Sequence, residues 1–201
     1  SQSRIVSKKD LIARVYTMPG QFGRYFRVGV RPDPRNPNAS VISGICIDKN
    51  NKLQYATDIL KENTATYLDE FRIIGDAIEI LDAPVVNLKI NFTVSVLSKF
   101  NKQNVVSNVI QRLKSFLRLT NMQIDKPINL SELENLIQNS EGVNSVVELE
   151  VGSLTGTKNT LTYLGENYSI VENVRDKMLY PPMGGIFEVR HPNNDIKGSA
   201  A

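Results

Sequence analysis

Val86-Asn-Leu-Lys-Ile-Asn-Phe-Thr-Val-Ser-Val96 alternates without a break, with Val86, Leu88, Ile90, Phe92, Val94 and Val96 apolar and Asn87, Lys89, Asn91, Thr93 and Ser95 polar. A period of two is the signature of a strand with one buried face. Past a polar interval at 99–104 the spacing changes to Val106, Val109, Ile110, Leu113, Phe116 and Leu117, with Asn108, Gln111, Arg112, Lys114, Ser115 and Arg118 opposite. That is a helix with one apolar stripe. A one-sided strand followed by a one-sided helix places the helix on the apolar face and leaves the other face to solvent or a partner. The expected fold is therefore α+β: a ferredoxin-like or related split α/β sandwich, a mixed sheet with helices on one face, followed by a C-terminal β/extended arm.

Toward the N-terminus, Ser7 as N-cap and Asp10 in the first turn predict a helix that stops at Pro19-Gly20, with Val6 packing on Leu11 as a staple. Two strands are expected next, Phe22 to Val30 with Phe22, Phe26, Val28 and Val30 on one parity, and Val41 to Ile47. Between them Pro32, Pro34 and Pro37 predict an exposed loop over 31–40. A second helix is expected over 57–74 along Leu60, Thr64, Tyr67, Leu68, Phe71 and Ile74, released at Gly75-Asp76. Toward the C-terminus, two overlapping caps, Asn129 with Glu132 or Ser131 with Glu134, start a short helix ended near Gly142. Ser145 to Val151 reads as a strand with Val147, Leu149 and Val151 on one face.

After Val151 the composition shifts to small and polar residues, a hairpin is expected to turn at Gly165-Glu-Asn167, and Tyr180-Pro-Pro-Met-Gly-Gly makes a stiff break. The expected organisation is a sandwich core over 1–151 and a helix-free hairpin and arm over 152–201, packed on the core or on another chain. The alternating Ile186, Phe187 and Val189, with Tyr180 at the arm's root, need cover from somewhere, which makes them the candidate interface residues for self-association.

The 201 residues are 41% hydrophobic and 22% charged with a formal net charge of +3, and the charges are mixed along the chain. Obligatory nucleic-acid or anionic-membrane binding gains little from that balance. The single cysteine, Cys46 between Ile45 and Ile47, reads as a buried thiol with no internal disulfide to make. No apolar run reaches the roughly 20 residues of a membrane-spanning helix, and Ser1-Gln-Ser-Arg is not a signal peptide, so a soluble chain is expected. The absence of an initiator Met suggests a piece of a longer protein.

Gly152-Ser-Leu-Thr-Gly-Thr-Lys158 lacks the glycine spacing and the following helix of a phosphate loop and reads as a turn. His191 is the sole histidine, beside Pro192, which excludes any His-His metal pair and points to a surface or packing role. Asp69 and Glu70 point in different directions on a helix, and Glu79 with Asp82 reads as solvated surface before it reads as an acid-base pair. No cluster has metal-ligand spacing, so no metal, cofactor or catalytic residue is expected. Arg24-Tyr-Phe-Arg-Val28 resembles a base-stacking strand of an RNA-binding sandwich, using Tyr25, Arg27 and Arg31. Because Phe22 and Phe26 share parity with Val28 and Val30, Tyr25 is left as the only aromatic on that face; core plus solvated arginines is the preferred reading, and the nucleic-acid face the alternative.

Three pieces together carry a resemblance: Arg4-Ile-Val-Ser-Lys-Lys-Asp-Leu-Ile-Ala-Arg-Val-Tyr-Thr-Met-Pro19, the path from Tyr67-Leu-Asp-Glu-Phe-Arg through Asp76 and Pro84 to the alternating strand, and Ile186-Phe-Glu-Val-Arg-His-Pro-Asn-Asn-Asp-Ile-Lys-Gly198. They resemble the C-terminal part of the baseplate wedge subunits of T-even-type phages, which are similar to the wider baseplate J family of contractile tails. The resemblance spans nearly the whole chain through packing and turn residues. It implies a non-enzymatic structural protein of the virion, assembled in the host cytoplasm, that homodimerises and joins other wedge proteins into a ring, with no small-molecule substrate, nucleic acid or membrane as partner. The chain lacks the N-terminal portion of that family, so the contacts of that portion do not carry over.

Overall fold

The computed structural model describes residues 7–71 and 77–201, and its contacts divide the chain into two compact units, Ser1–Pro84 with Met183–Gly185, and Val85–Pro182 with Ile186–Ala201. In the first unit, Ser7 Oγ accepts from Asp10 N (3.2 Å) and the Asp10 carboxylate accepts from Ser7 N (2.9 Å). This reciprocal capping box starts α1 (Lys8–Thr17) where the sequence predicts it. The staple of Val6 lies outside the described residues, as do Ile74 and Gly75-Asp76; the second helix, expected to run on to Ile74, is corrected to end at Asp69, with Phe71 in a turn.

β1 (Arg27–Asp33) and β2 (Asn36–Ile47) form an antiparallel hairpin; β3 (Leu53–Gln54) pairs with the end of β2, α2 (Asp58–Asp69) follows from the Thr57 cap, and β4 (Ala77–Asp82) runs parallel to β2. Leu11 and Val15 of α1 and Leu60 and Leu68 of α2 join Val28, Val30, Ile42 and Cys46 of the sheet in one core. The expected loop over 31–40 is corrected to ladder and hairpin tip. Pro32 lies on β1, which pairs with β2 alone among the described residues, and Pro37 falls where the register slips between Pro32↔Ser40 and Asp33↔Asn36. Edge strands and bulges are the places where a ladder tolerates a missing N–H. The strand expected from Phe22 is corrected too: Phe22 ends a 3-10 turn (Gly20–Phe22) and β1 begins at Arg27.

The second unit is built on β5 (Val85–Val96). Leu88, Ile90, Phe92 and Val94 are 3% exposed or less, while Lys89, Asn91, Thr93 and Ser95 are half-buried, so the alternation holds. α3 (Lys102–Phe116) starts at the Asn101 cap; β6 (Ile128–Asn129) leads into α4 (Leu130–Gln138), and β7 (Val143–Leu154) pairs antiparallel with β5. The buried stripe of α3 is Val105, Val109, Leu113 and then Leu117; Val106 and Ile110, expected inside, are half-buried at its margin. At α4 the first of the two caps is used, with Asn129 Oδ1 accepting from Ser131 N (3.0 Å) and Glu132 N (3.2 Å). Gly142 (φ 85) turns the chain into β7, and a Cβ there would lie 2.6 Å from Val105 and 2.8 Å from the Phe100 ring. Val147 departs from its expected face: Thr93 pairs with Glu148 and Val94 with Val146, so Val147 bulges out and is 57% exposed.

The tail packs on its own chain, as short paired strands. β8 (Thr157–Lys158) and β9 (Leu161–Thr162) form a hairpin across Asn159 and Thr160, both at positive φ, in place of the turn expected at 165–167. β10 (Val174–Arg175) and β11 (Met178–Leu179) make a second hairpin, completed by β6. β12 (Ile186–Glu188) and β13 (Ile196–Ala200) then run parallel to β5, on the side opposite β7, with the short helix α5 (Pro192–Asp195) between them. The helix-free tail is thereby corrected, and the compact units divide the chain elsewhere than at Val151. The molecule is an α+β protein with mixed sheets.

Candidate functional site

Ile186 and Phe187, the expected interface residues, are 0% and 1% exposed, and they pair with Val85 and Val86. The cover they require is supplied by their own chain, because β5 offers a free edge that β12 fills. As exposed contacts for a partner they are corrected. Val189 and Tyr180 are half-buried; the Arg175 guanidinium lies 4.5 Å over the Tyr180 ring and Tyr168 Oη donates to Tyr180 O (2.5 Å).

Polar groups that the alternation assigns to solvent lock β12 in place. Asn87 is fully buried, its Nδ2 donates to Glu188 Oε1 (2.8 Å), and its Oδ1 accepts from Gly165 N (2.9 Å). Arg190 Nη1 pairs with the same Glu188 oxygen (3.1 Å), leaving a nearly buried carboxylate neutralised and hydrogen-bonded. Gly165 is required by close approach, since a Cβ there would lie 2.8 Å from Asn87 N and 2.9 Å from Val85 O. A second cluster ties α5 down: Tyr163 Oη donates to Asp195 Oδ1 (2.6 Å), and His191 N donates to Asp195 Oδ2 (2.9 Å). Burial, with the Asp195 carboxylate adding to it, pushes the Tyr163 phenol far above its ordinary range. The His191 ring stands edge-on to the Tyr163 ring, 5.3 Å between centroids, with Nε2 3.0 Å from Thr162 O. The sequence reading missed Asn87, Glu188, Arg190, Tyr163 and Asp195; Asn87 sits on the polar parity, and nothing local marks it as buried.

The nucleic-acid alternative loses its platform. Tyr25 is 7% exposed and its ring lies against Gly44, where a Cβ would approach to 2.5 Å. Its hydroxyl makes no hydrogen bond of good geometry among the described residues; burial pushes the phenol up to about 12, against a smaller opposing pull from the nearby Thr64 hydroxyl, which donates to Leu60 O (2.6 Å). Arg31 Nη1 is bonded to Ser43 Oγ (2.7 Å), and the Arg27 guanidinium covers the Phe26 ring at 4.2 Å. No open aromatic face results. Cys46 is buried, with desolvation pushing its thiol up to about 11. Glu79 and Asp82 lie at opposite parities of β4 and pair separately, Glu79 with Arg35 (3.4 Å) and Asp82 with Lys61 (2.8 Å). Among the described residues no three His, Cys, Asp or Glu side chains gather as a metal site, and no helix is long and apolar enough to cross a membrane.

What stays open is the rim of the sheet around β5. At one end of β7 the Gln138 carboxamide imitates a neighbouring strand, donating to Asn144 O (2.9 Å) and accepting from Val146 N (3.3 Å). From Glu148 to Leu154 the ladder has β5 as its one partner among the described residues. Glu148 and Glu150 are exposed there, and Leu149 and Val151 remain half-buried although their cross-strand partners Phe92 and Ile90 are 3% and 1% exposed. On the far side β13 likewise pairs with β5 alone, with Lys197 exposed. Beside it lies a groove of about 570 Å³ lined by Lys102, Val106 and Ser107 of α3 and by Gly198 and Ala200.

The fold and these surfaces define an α+β protein whose internal polar clusters hold strands in place and whose open features are sheet edges. No protein-family model matches the chain, and no curated protein does. Among solved structures, a chain of the anti-feeding prophage (AFP) baseplate, determined by cryo-EM with six-fold symmetrisation, is similar in fold, with a TM-score of 0.60 over 94% of this chain at 10% identity. This chain spans 38% of the length of that one. The likeness is one of fold.

Proposed function

We propose that this chain is a structural part of a tail baseplate, located in the virion tail and assembled in the host cytoplasm. In this reading it belongs with the baseplate wedge and J-like proteins and joins wedges into a ring through protein-protein contacts that include self-association. The observation that carries the reading is the fold likeness to a baseplate chain, which spans 94% of this chain rather than a single motif. The polar clusters support it, since each is consumed in fixing strands and leaves no reacting group presented. A base-stacking module would need Tyr25 exposed, and its burial favours assembly over nucleic-acid binding.

Deletion of the coding sequence in the producing host, followed by electron microscopy and mass spectrometry of the particles, tests the role. Tails without an assembled baseplate are expected, with peptides of this chain in the baseplate fraction of the parent. Normal baseplates without the protein would overturn it. Self-association is read separately, by sedimentation velocity on the purified chain.

A further inference from the structure

The two open edges of the second unit complement each other. Glu150, Asn91 and Lys197 form one cross-strand row, and Glu148, Thr93 and Ser199 the next but one, all on the polar face of the sheet. One rim of that face thus carries two exposed carboxylates, Glu148 with no ion-pair partner among the described residues and Glu150 within 3.9 Å of Lys89, and the opposite rim carries the exposed ammonium of Lys197. On the apolar face the acidic rim offers the half-buried Leu149 and Val151. The basic rim offers Gly198, kept small by the Phe92 ring at its Cα, and beside it the groove against Val106. Knobs lie on one side and a hole on the other.

Direction and length agree as well. β7 runs antiparallel to β5 and β13 parallel to it, so a sheet continued from β13 of one copy to β7 of the next forms an antiparallel pair, which needs no crossover. Past the bulge at Val147, β7 pairs with β5 alone among the described residues from Glu148 to Leu154, which is long enough to take β13, Ile196–Ala200. An isologous pairing of two β7 edges would instead set Glu148 and Glu150 against their own kind, which is unfavourable for directly opposed strands.

We propose that the occupant of the β7 edge is β13 of a second copy of this chain, joined head to tail. Leu149 and Val151 enter the groove beside Val106, and Lys197 comes opposite or diagonal to Glu148 and Glu150. Such a heterologous contact propagates from copy to copy and closes into a ring where the rotation permits. The inference rests on the self-association in the proposed function and names the surface that performs it.

Sedimentation velocity over a concentration series, with the full chain, Glu148→Lys/Glu150→Lys and Lys197→Glu, tests it. The parent is expected to associate, and each charge variant to weaken association by about tenfold or more, in step with the roughly 1.4 kcal/mol that a tenfold change represents. Mixing the two variants is expected to restore association, because each then presents a complementary edge to the other. Variants that associate like the parent, or a mixture no better than its components, would overturn the edge pairing while leaving self-association standing. A parent that stays monomeric at high micromolar concentration would overturn both, with the baseplate role still judged by the deletion.

Discussion

The sheet of the first unit is assembled from neighbours and that of the second from strangers. β1 and β2 are a hairpin, and β4 joins β2 after one intervening helix. β5, by contrast, is flanked by β7, about fifty residues on, and by β12 and β13, about a hundred residues on. Local pairing costs little loop-closure entropy and can form early; distant pairing must be rewarded by burial and by specific polar contacts. This is why the long-range side of β5 carries the group of buried Asn87 and Glu188 with Arg190, which holds β12 in register, while β1 and β2, already joined by a turn, rely mainly on apolar packing beside the Arg31–Ser43 hydrogen bond.

Removing the last strands is the severest way to break the contrast. A chain ending at Gly185 loses β12 and β13 and exposes the edge and apolar face of β5, so it should aggregate or expose β5 amides to hydrogen exchange, while β2 amides keep most of their protection. Equal protection of β5 in both chains would show that the distant strands contribute nothing. Next in size is Ile90→Asp, which places a carboxylate at a position 1% exposed and should cost about 5 kcal/mol in denaturant unfolding. An unchanged unfolding midpoint would mean that the register of β5 is wrong.

Glu188→Ala leaves Arg190 and Asn87 Nδ2 without their acceptor and should cost about 3 kcal/mol. Glu188→Gln, which keeps an oxygen acceptor and shape, should cost clearly less, and equal losses would remove charge and hydrogen bonding from the account. The smallest effect lies in the first unit. Tyr25 has its phenol raised by burial from 10.0 to about 12, so between those values the unfolded chain releases the proton more readily than the folded one. Stability should be full below pH 10 and fall by about 2 kcal/mol as the pH rises through 12. Tyr25→Phe should flatten that limb relative to the parent with little loss at neutral pH, since the hydroxyl makes no hydrogen bond of good geometry among the described residues; an unchanged limb would assign the alkaline loss to other groups.

Periodicity and capping were enough to place β5, α1, α3 and α4 within a few residues, because alternation, an apolar stripe and Ser, Thr or Asn caps act over one or two turns of chain. The edges of what is local are seen in particular residues. Asn87 has the parity of a solvated residue and is buried because β12 lies beside it. Val147 has the parity of a core residue and is exposed because the ladder slips by one there. Pro32 and Pro37 argue against a ladder and are tolerated because one lies on an edge strand and the other at a bulge.

The amino-acid sequence by itself determined that this is an α+β chain, where its principal strand and helices lie, and that no disulfide or histidine pair organises it. Only the tertiary structure decided that residues 186–201 supply two strands of the β5 sheet with a short helix between them, that Ile186 and Phe187 are covered from within, and that Tyr25 is core. The physical reason is common to all three. A short apolar segment needs burial, which composition reveals, but whether its cover comes from its own chain or a neighbour depends on a free edge of matching length and register a hundred residues away.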